Sequence, residues 1–310
     1  MSINELKKGY PIAENKTLGR YSKSKLIYFD PSYEMDDDEG TDYFHTNGKD
    51  LLEVIPPSIQ DKEIDSDRYF ISGQSGSGKS TFVVQLIDKY TRAGIKHFFA
   101  ITDKPDRRFG KIKYLDINDF VIPYENEDEE EKIKLYEKEK IKFKHLKKFL
   151  EPEEVLKEEL RINDLKVKKG PKKTGYQLRF SNEDIGEIFK DSVIFFDDYE
   201  KNKDVKLIEV LRDHLLTQGR HYKCNMIIAN HKTQGGPSFG LIKQETTNYV
   251  IFKKSTSYQR EGLFKNYLGL KKRQRDLVDK LLLKSRWVCY NIDNHLTISQ
   301  KAVVNTDTIK

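Results

Sequence analysis

Gly73-Gln74-Ser75-Gly76-Ser77-Gly78-Lys79-Ser80 matches G-x-x-x-x-G-K-[ST] without departure. Glycines let the backbone curl so that successive N–H groups turn inward onto phosphate oxygens. The N-terminus of a following helix adds partial positive charge behind them. In this frame Lys79 reaches the β- and γ-phosphates of a nucleotide, and the Ser80 hydroxyl ligates Mg²⁺. Residues 73–81, Thr81 included, are the expected contacts for ATP and its metal.

Hydrolysis needs a second, acidic site. Asp197 and Asp198 close the apolar run Val193-Ile194-Phe195-Phe196. At such a strand tip Asp197 would hold Mg²⁺, usually through water. Asp198 would take a proton from the attacking water or orient it. Either acid alone reads as a solvated turn; the pair downstream of a complete phosphate loop is the signal. Arg220, in Gly219-Arg220-His221 at a helix end, is of the type that stabilises charge on a phosphoryl group held by a neighbouring subunit. It also fits plain pairing with helix carbonyls. His231, preceded by Asn230, follows another apolar run. There it would sense the γ-phosphate or hold the lytic water, or it is an ordinary loop residue.

These residues need a scaffold. Tyr69-Phe70-Ile71 before the loop reads as a strand, and residues 81–87 after it as a helix. Further strands are expected at 97–101, 193–196, 226–229 and 249–252, with a helix carrying Leu207, Ile208, Leu211, Leu215 and Leu216 at helical spacing. Strands separated by helices imply a mostly parallel sheet, an α/β fold. Residues 1–66 read as an N-terminal accessory segment and 67–310 as the phosphate-loop domain. A charged insertion at about 125–179 interrupts that domain, with one or two exposed helices broken near Pro152.

With 36% apolar and 34% charged residues in 310, the chain can fill a core while staying heavily solvated. A net charge of +6 leans weakly toward a polyanion, because 50 acids accompany 56 bases. Cys224 and Cys289 lack metal or redox spacing and read as buried thiols in a reducing compartment. No run approaches membrane-spanning length and no signal peptide opens the chain, so a soluble intracellular protein is expected.

With these motifs the chain resembles the FtsK–HerA superfamily of ring-forming DNA-pumping ATPases. Within it the chain looks most like the genome-packaging ATPases of large DNA viruses, poxviruses and virophages. The resemblance rests on the phosphate loop, Ile194-Phe195-Phe196-Asp197-Asp198, Leu215-Leu216-Thr217-Gln218-Gly219-Arg220-His221, and Asn248-Tyr249-Val250-Ile251-Phe252. It covers roughly residues 68–100 and 192–292. It implies a RecA-like (ASCE) P-loop NTPase with the acidic strand and the fourth strand beside the phosphate-loop strand. It implies ATP hydrolysis, a pentameric or hexameric ring, double-stranded DNA as cargo and a capsid or portal-vertex partner. If the protein is viral, its place is a cytoplasmic virus factory or the virion. Arg220 would be the trans-acting arginine, and Asp198 would stand where relatives usually carry Glu. His231 falls where they commonly carry Gln, and Asn230 is its substitute. The alternatives are a small-molecule or nucleotide kinase, with Arg107 and Arg108 as acceptor clamps, a non-packaging translocase or helicase, and a non-hydrolysing switch.

A motor that moves any sequence grips phosphates rather than bases. Three basic clusters are candidates: residues 166–173 in the insertion; Lys253, Lys254, Arg260 and Lys265; and Lys271, Lys272, Arg273 and Arg275. Each also fits a solvated charged face.

Overall fold

The computed structural model describes residues 2–4, 9–17, 24–30, 43–59, 64–124, 127–147, 151–164, 175–231 and 237–307. The chain forms two compact units, one of Met1–Phe120 with Phe180–Lys310 and one of Val121–Arg179.

The larger unit begins with β1 (Ser2–Asn4), β2 (Tyr10–Lys16), β3 (Ser24–Asp30), β4 (Tyr43–His45) and β5 (Leu51–Val54). β1, β3, β2 and β5 pair antiparallel in that order. A short 3-10 turn at Pro57–Ile59 follows. Then come β6 (Arg68–Ser72), α1 (Lys79–Arg92), β7 (His97–Thr102) and β8 (Lys113–Tyr114). The first sheet is not a loose appendage. Ile12, Ala13, Ile27, Phe29, Leu52 and Val54 share one buried core with Phe82, Val83 and Leu86 of α1. Polar contacts add to it: Lys89 of α1 is buried against Glu14 and lies 3.0 Å from Glu53.

In the smaller unit, β9 (Val121–Tyr124) pairs antiparallel with β10 (Gly175–Leu178). Between them in the chain run α2 (Glu127–Leu146) and α3 (Pro152–Asp164). Pro152 opens α3, where its missing N–H costs no helical hydrogen bond, and Glu153 and Glu154 favour that terminus. Exposed ion pairs link the two helices, Lys147 to Glu159 at 2.7 Å and Arg161 to Glu139. The expected basic cluster at 166–173 lies outside the described residues.

The larger unit resumes with α4 (Asn182–Phe189), β11 (Ser192–Asp197), α5 (Val205–Gln218), β12 (Asn225–Asn230), α6 (Pro237–Glu245) and β13 (Asn248–Phe252). It ends with α7 (Ser257–Glu261), α8 (Lys272–Lys284), β14 (Trp287–Asn291), β15 (Leu296–Ser299) and β16 (Ala302–Asn305). α5 forms as its spacing predicts: Ile208, Leu211, Leu215 and Leu216 are fully buried on one face, while Leu207 is only partly buried.

The 10-stranded sheet runs β4-β16-β15-β14-β13-β6-β12-β11-β7-β8. From β13 to β8 every neighbouring pair is parallel. From β13 outward to β4 every pair is antiparallel. This is a mixed α/β fold whose parallel half has the form of a RecA-like (ASCE) P-loop NTPase. One expectation needs refinement. Of the two strands expected there, β12 pairs with β6, and the acidic strand β11 stands one place further out. All these parallel strands still end at the same edge of the sheet, where an α/β fold presents its ligand crevice.

Candidate functional site

The phosphate loop joins β6 to α1, and its glycines stand where a side chain would strain the backbone or clash. Gly76 and Gly78 have φ of +70° and +111°, the left-handed region. A Cβ on Gly73 would lie 2.7 Å from Ser77 Oγ and 3.0 Å from Phe252 Cβ. Gly78 caps α1 without any side-chain hydrogen bond, which leaves the first helical N–H groups to a ligand. Lys79 is buried, and its Nζ donates to the Gly73 carbonyl at 2.7 Å.

β11 delivers the acids beside this amine. Asp197 is its last residue; Asp198 turns the chain at φ 44°, a left-handed conformation that Asp tolerates better than most. The Asp198 N–H donates to Ala229 O at 3.0 Å, which ties the turn to β12. Asp198 Oδ1 lies 3.8 Å from Lys79 Nζ, and Oδ2 lies 2.7 Å from His231 Nε2. His231 Nδ1 in turn lies 3.1 Å from Lys79 Nζ. Nδ1 also lies 3.2 Å from the Gly73 carbonyl; with Nε2–H donating to Asp198, Nδ1 accepts from the ammonium and leaves that carbonyl to Lys79. The three side chains close a ring around the mouth of the loop.

Burial, and then the neighbouring Asp198 charge, push the Asp197 carboxyl up to about 6. Thr102 Oγ1, 3.5 Å from Asp197 Oδ2, works against that shift. Burial lowers the pKa of Lys79, while Asp198, Asp197 and Glu200 raise it. Two like charges at a strand tip favour a cation between them, and Mg²⁺ takes oxygen donors. Ser80 and Asp197 line the same cleft, and Asp198 Oδ1 is buried there without a hydrogen-bond partner. The donor set therefore fits Mg²⁺ completed by phosphate oxygens and water. The cleft, about 370 Å³, is lined by Gln74, Ser75, Gly76, Gly78, Lys79, Ser80, Thr81, Arg108, Asp197, Asp198, His231 and Arg286.

Asn230 ends β12 directly behind His231. Its backbone carbonyl accepts from the Gly73 N–H at 3.3 Å, and its Nδ2 donates to Glu200 Oε1 at 3.2 Å. Glu200 was not singled out from the sequence. Its signal is an acid two places past Asp198, in the 3-10 turn Tyr199–Lys201. Buried Arg212 of α5 braces that turn through the Tyr199 hydroxyl.

Arg220 is not brought to this cleft. It stands in the turn before β12, at the opposite end of that strand, and its Nη2 lies 3.6 Å from Glu245 Oε2. A six-residue strand spans about 20 Å. The clamp arginines also differ: Arg108 lines the cleft but is forked onto Asp106, whereas Arg107 is absent from the lining. Of the described basic clusters, Lys253 donates to Leu283 O, Arg260 to Asp279 and Ser255 O, Lys265 to Glu261, and Arg275 to Leu270 O. Cys224 and Cys289 are buried free thiols, and burial pushes Cys224 up to about 12.

No protein-family profile matches the chain. The uncharacterized protein V3 of Sputnik virophage is 34% identical over 107 residues, which is 33% of this chain and 43% of that protein. The match spans less than half the length of that relative. The genome packaging NTPase B204 from Sulfolobus turreted icosahedral virus 2, in complex with ATP-gammaS, aligns at 13% identity and a TM-score of 0.38, covering 76% of this chain and 98% of that one. The cytoplasmic domain of the Thermomonospora curvata Type VII secretion ATPase EccC aligns at 11% identity and 0.42, covering 86% and 30%. The pCW3 conjugation coupling protein TcpA aligns at 13% identity and 0.38, covering 93% and 75%. No residue's role follows from likeness at this level. Among the described residues, no helix is long and apolar enough to cross a membrane.

Proposed function

We propose that the chain is an ATP-hydrolysing translocase of double-stranded DNA that packages a viral genome into a capsid, working as a pentameric or hexameric ring. The observation that carries this reading is the closed set of Lys79, Asp198 and His231 at the phosphate loop, with the Lys79–Asp198 approach at 3.8 Å. A loop that only held a nucleotide would not need a carboxylate there.

The residues divide the work. The loop N–H groups and Lys79 bind the phosphates, and Lys79 exchanges its contact with Asp198 for the incoming anion. Ser80 and Asp197 hold Mg²⁺, which offsets phosphate charge when bound. Asp198, freed from Lys79, takes the proton of the attacking water as it adds to the terminal phosphoryl group and ADP leaves. His231 keeps Asp198 oriented and reports on the terminal phosphate. Arg220 lies at the wrong end of β12 to serve its own site, so it acts on the site of the next subunit. The antiparallel sheet of β1, β3, β2 and β5 braces α1, and the insertion with its basic run contributes DNA contacts by non-specific phosphate neutralisation. A capsid or portal-vertex protein is the docking partner.

ATP hydrolysis measured with and without duplex DNA, alongside native mass, tests this. The expected result is an oligomer whose rate rises with DNA. A monomer turning over at full rate without DNA, or phosphate passing to a small acceptor rather than water, overturns it.

A further inference from the structure

The cleft contains an arginine that the hydrolytic scheme does not use. Arg286 immediately precedes β14, and β14 pairs antiparallel with β13 so that Trp287 faces Phe252. Arg286 therefore stands at the same sheet edge as the phosphate loop. Its main chain is fixed: the N–H donates to Gln300 Oε1 at 2.9 Å, and the carbonyl accepts from Lys253 N–H at 2.8 Å. Trp287 is buried and packs edge-on against Phe82 in the first turns of α1, with ring centroids 4.8 Å apart. Phe82 in turn packs on Phe252, the side chain beneath Gly73 and Gly78. The position of Arg286 relative to the loop is thus set by a packed aromatic stack.

Its guanidinium is in the opposite condition. It is exposed to the cleft, and no hydrogen bond, ion pair or ring contact engages it among the described residues. Lys79 is held by three partners, and Arg108 is held by Asp106. Sheet order then decides which part of a nucleotide Arg286 meets. β11, with the two acids, is two strands from β6 on one side; β14 is two strands from β6 on the other. With strands about 4.8 Å apart, each lies roughly 10 Å from the loop's strand, in opposite directions. Metal and terminal phosphate belong on the carboxylate side. The other end of the nucleotide runs toward Arg286.

We propose that Arg286 is a cis-acting binding residue whose fork grips the α-phosphate end of the nucleotide held by its own subunit. This rests on the nucleotide-binding reading above. A planar guanidinium matches phosphate oxygens bidentately, and such charge-assisted bonds are the strong ones. Because ATP and ADP share this end, Arg286 would contribute equally to both.

The test is equilibrium binding of Mg-ATP and Mg-ADP to the full chain and to Arg286→Ala, with melting temperature as the folding control. The expected result is about tenfold weaker binding of both nucleotides, with an unchanged ATP-to-ADP ratio. Arg286→Lys, which keeps the charge and loses the fork, should fall between. Unchanged affinity for both nucleotides overturns the proposal, and so does a loss confined to ATP, which would place Arg286 on the terminal phosphate. If the wild-type chain binds neither nucleotide, the nucleotide-binding reading fails with it. If wild type binds and Arg286→Ala binds equally, only this assignment falls.

Discussion

Carboxylates stand at both ends of β6, and they differ in how completely the fold encloses them. At the start of the strand, Asp67 accepts from the Ser58 N–H at 3.1 Å, the Ser58 hydroxyl at 2.5 Å and the Tyr90 hydroxyl at 2.8 Å. The carboxylate itself is buried. At the far end, Asp198 faces an open cleft with one oxygen lacking a hydrogen-bond partner, beside a lysine that a phosphate can claim. A carboxylate wrapped by its own fold ties elements together. One left partly unpaired among opposite charges is prepared for something that arrives. Arg220 belongs to the first end, beside Glu245, so the role in hydrolysis proposed for it would have to be played in a second subunit.

The sharpest contrast comes from removing one cation at each end. Lys79→Ala should abolish nucleotide binding and lower hydrolysis by more than about a thousandfold, read in binding and turnover assays together. Arg220→Ala should lower turnover by about a thousandfold while leaving ATP affinity within a factor of about two. Loss of affinity in that variant would place Arg220 in its own subunit's site and erase the distinction.

A smaller effect should mark the closed end alone. Burial holds the Asp67 carboxyl up at about 6, above its ordinary 3.8, despite the donors from Ser58 and Tyr90. The folded state thus binds the proton more tightly than the unfolded chain. Stability owed to this group is full below pH 3.8 and is lost as pH rises through about 6, on the order of 3 kcal/mol in all. Denaturant midpoints for wild type and Asp67→Asn between pH 4 and 7 check this. The slope should become shallower in the variant by this group's share, with the part owed to Asp197 remaining, while nucleotide affinity at pH 7 stays as in wild type.

What was legible in the sequence was local. The phosphate loop, the apolar strand ending in two acids and the face of α5 are each set by neighbours within one or two turns of chain. The rest depends on partners far apart. β4 pairs with β16 across some 250 residues, a register no local pattern encodes. The first sheet reads as an appendage because its strands are short, yet its apolar side chains fill the core under α1. Glu200 and Arg286 carry no motif. The 3-10 turn after β11 and the turn between α8 and β14 place them at the same sheet edge as the phosphate loop. Arg220 was visible, but the end of the sheet it occupies was not.

The most direct measurement of the central claim mixes two inactive proteins. Lys79→Ala keeps Arg220, and Arg220→Ala keeps an intact phosphate loop, so in a mixed ring some interfaces regain both. An equal mixture should recover about one quarter of wild-type turnover, as random placement in a head-to-tail ring gives. Persistent inactivity of the mixture, with mixed rings demonstrated by native mass, would contradict completion of each site by its neighbour.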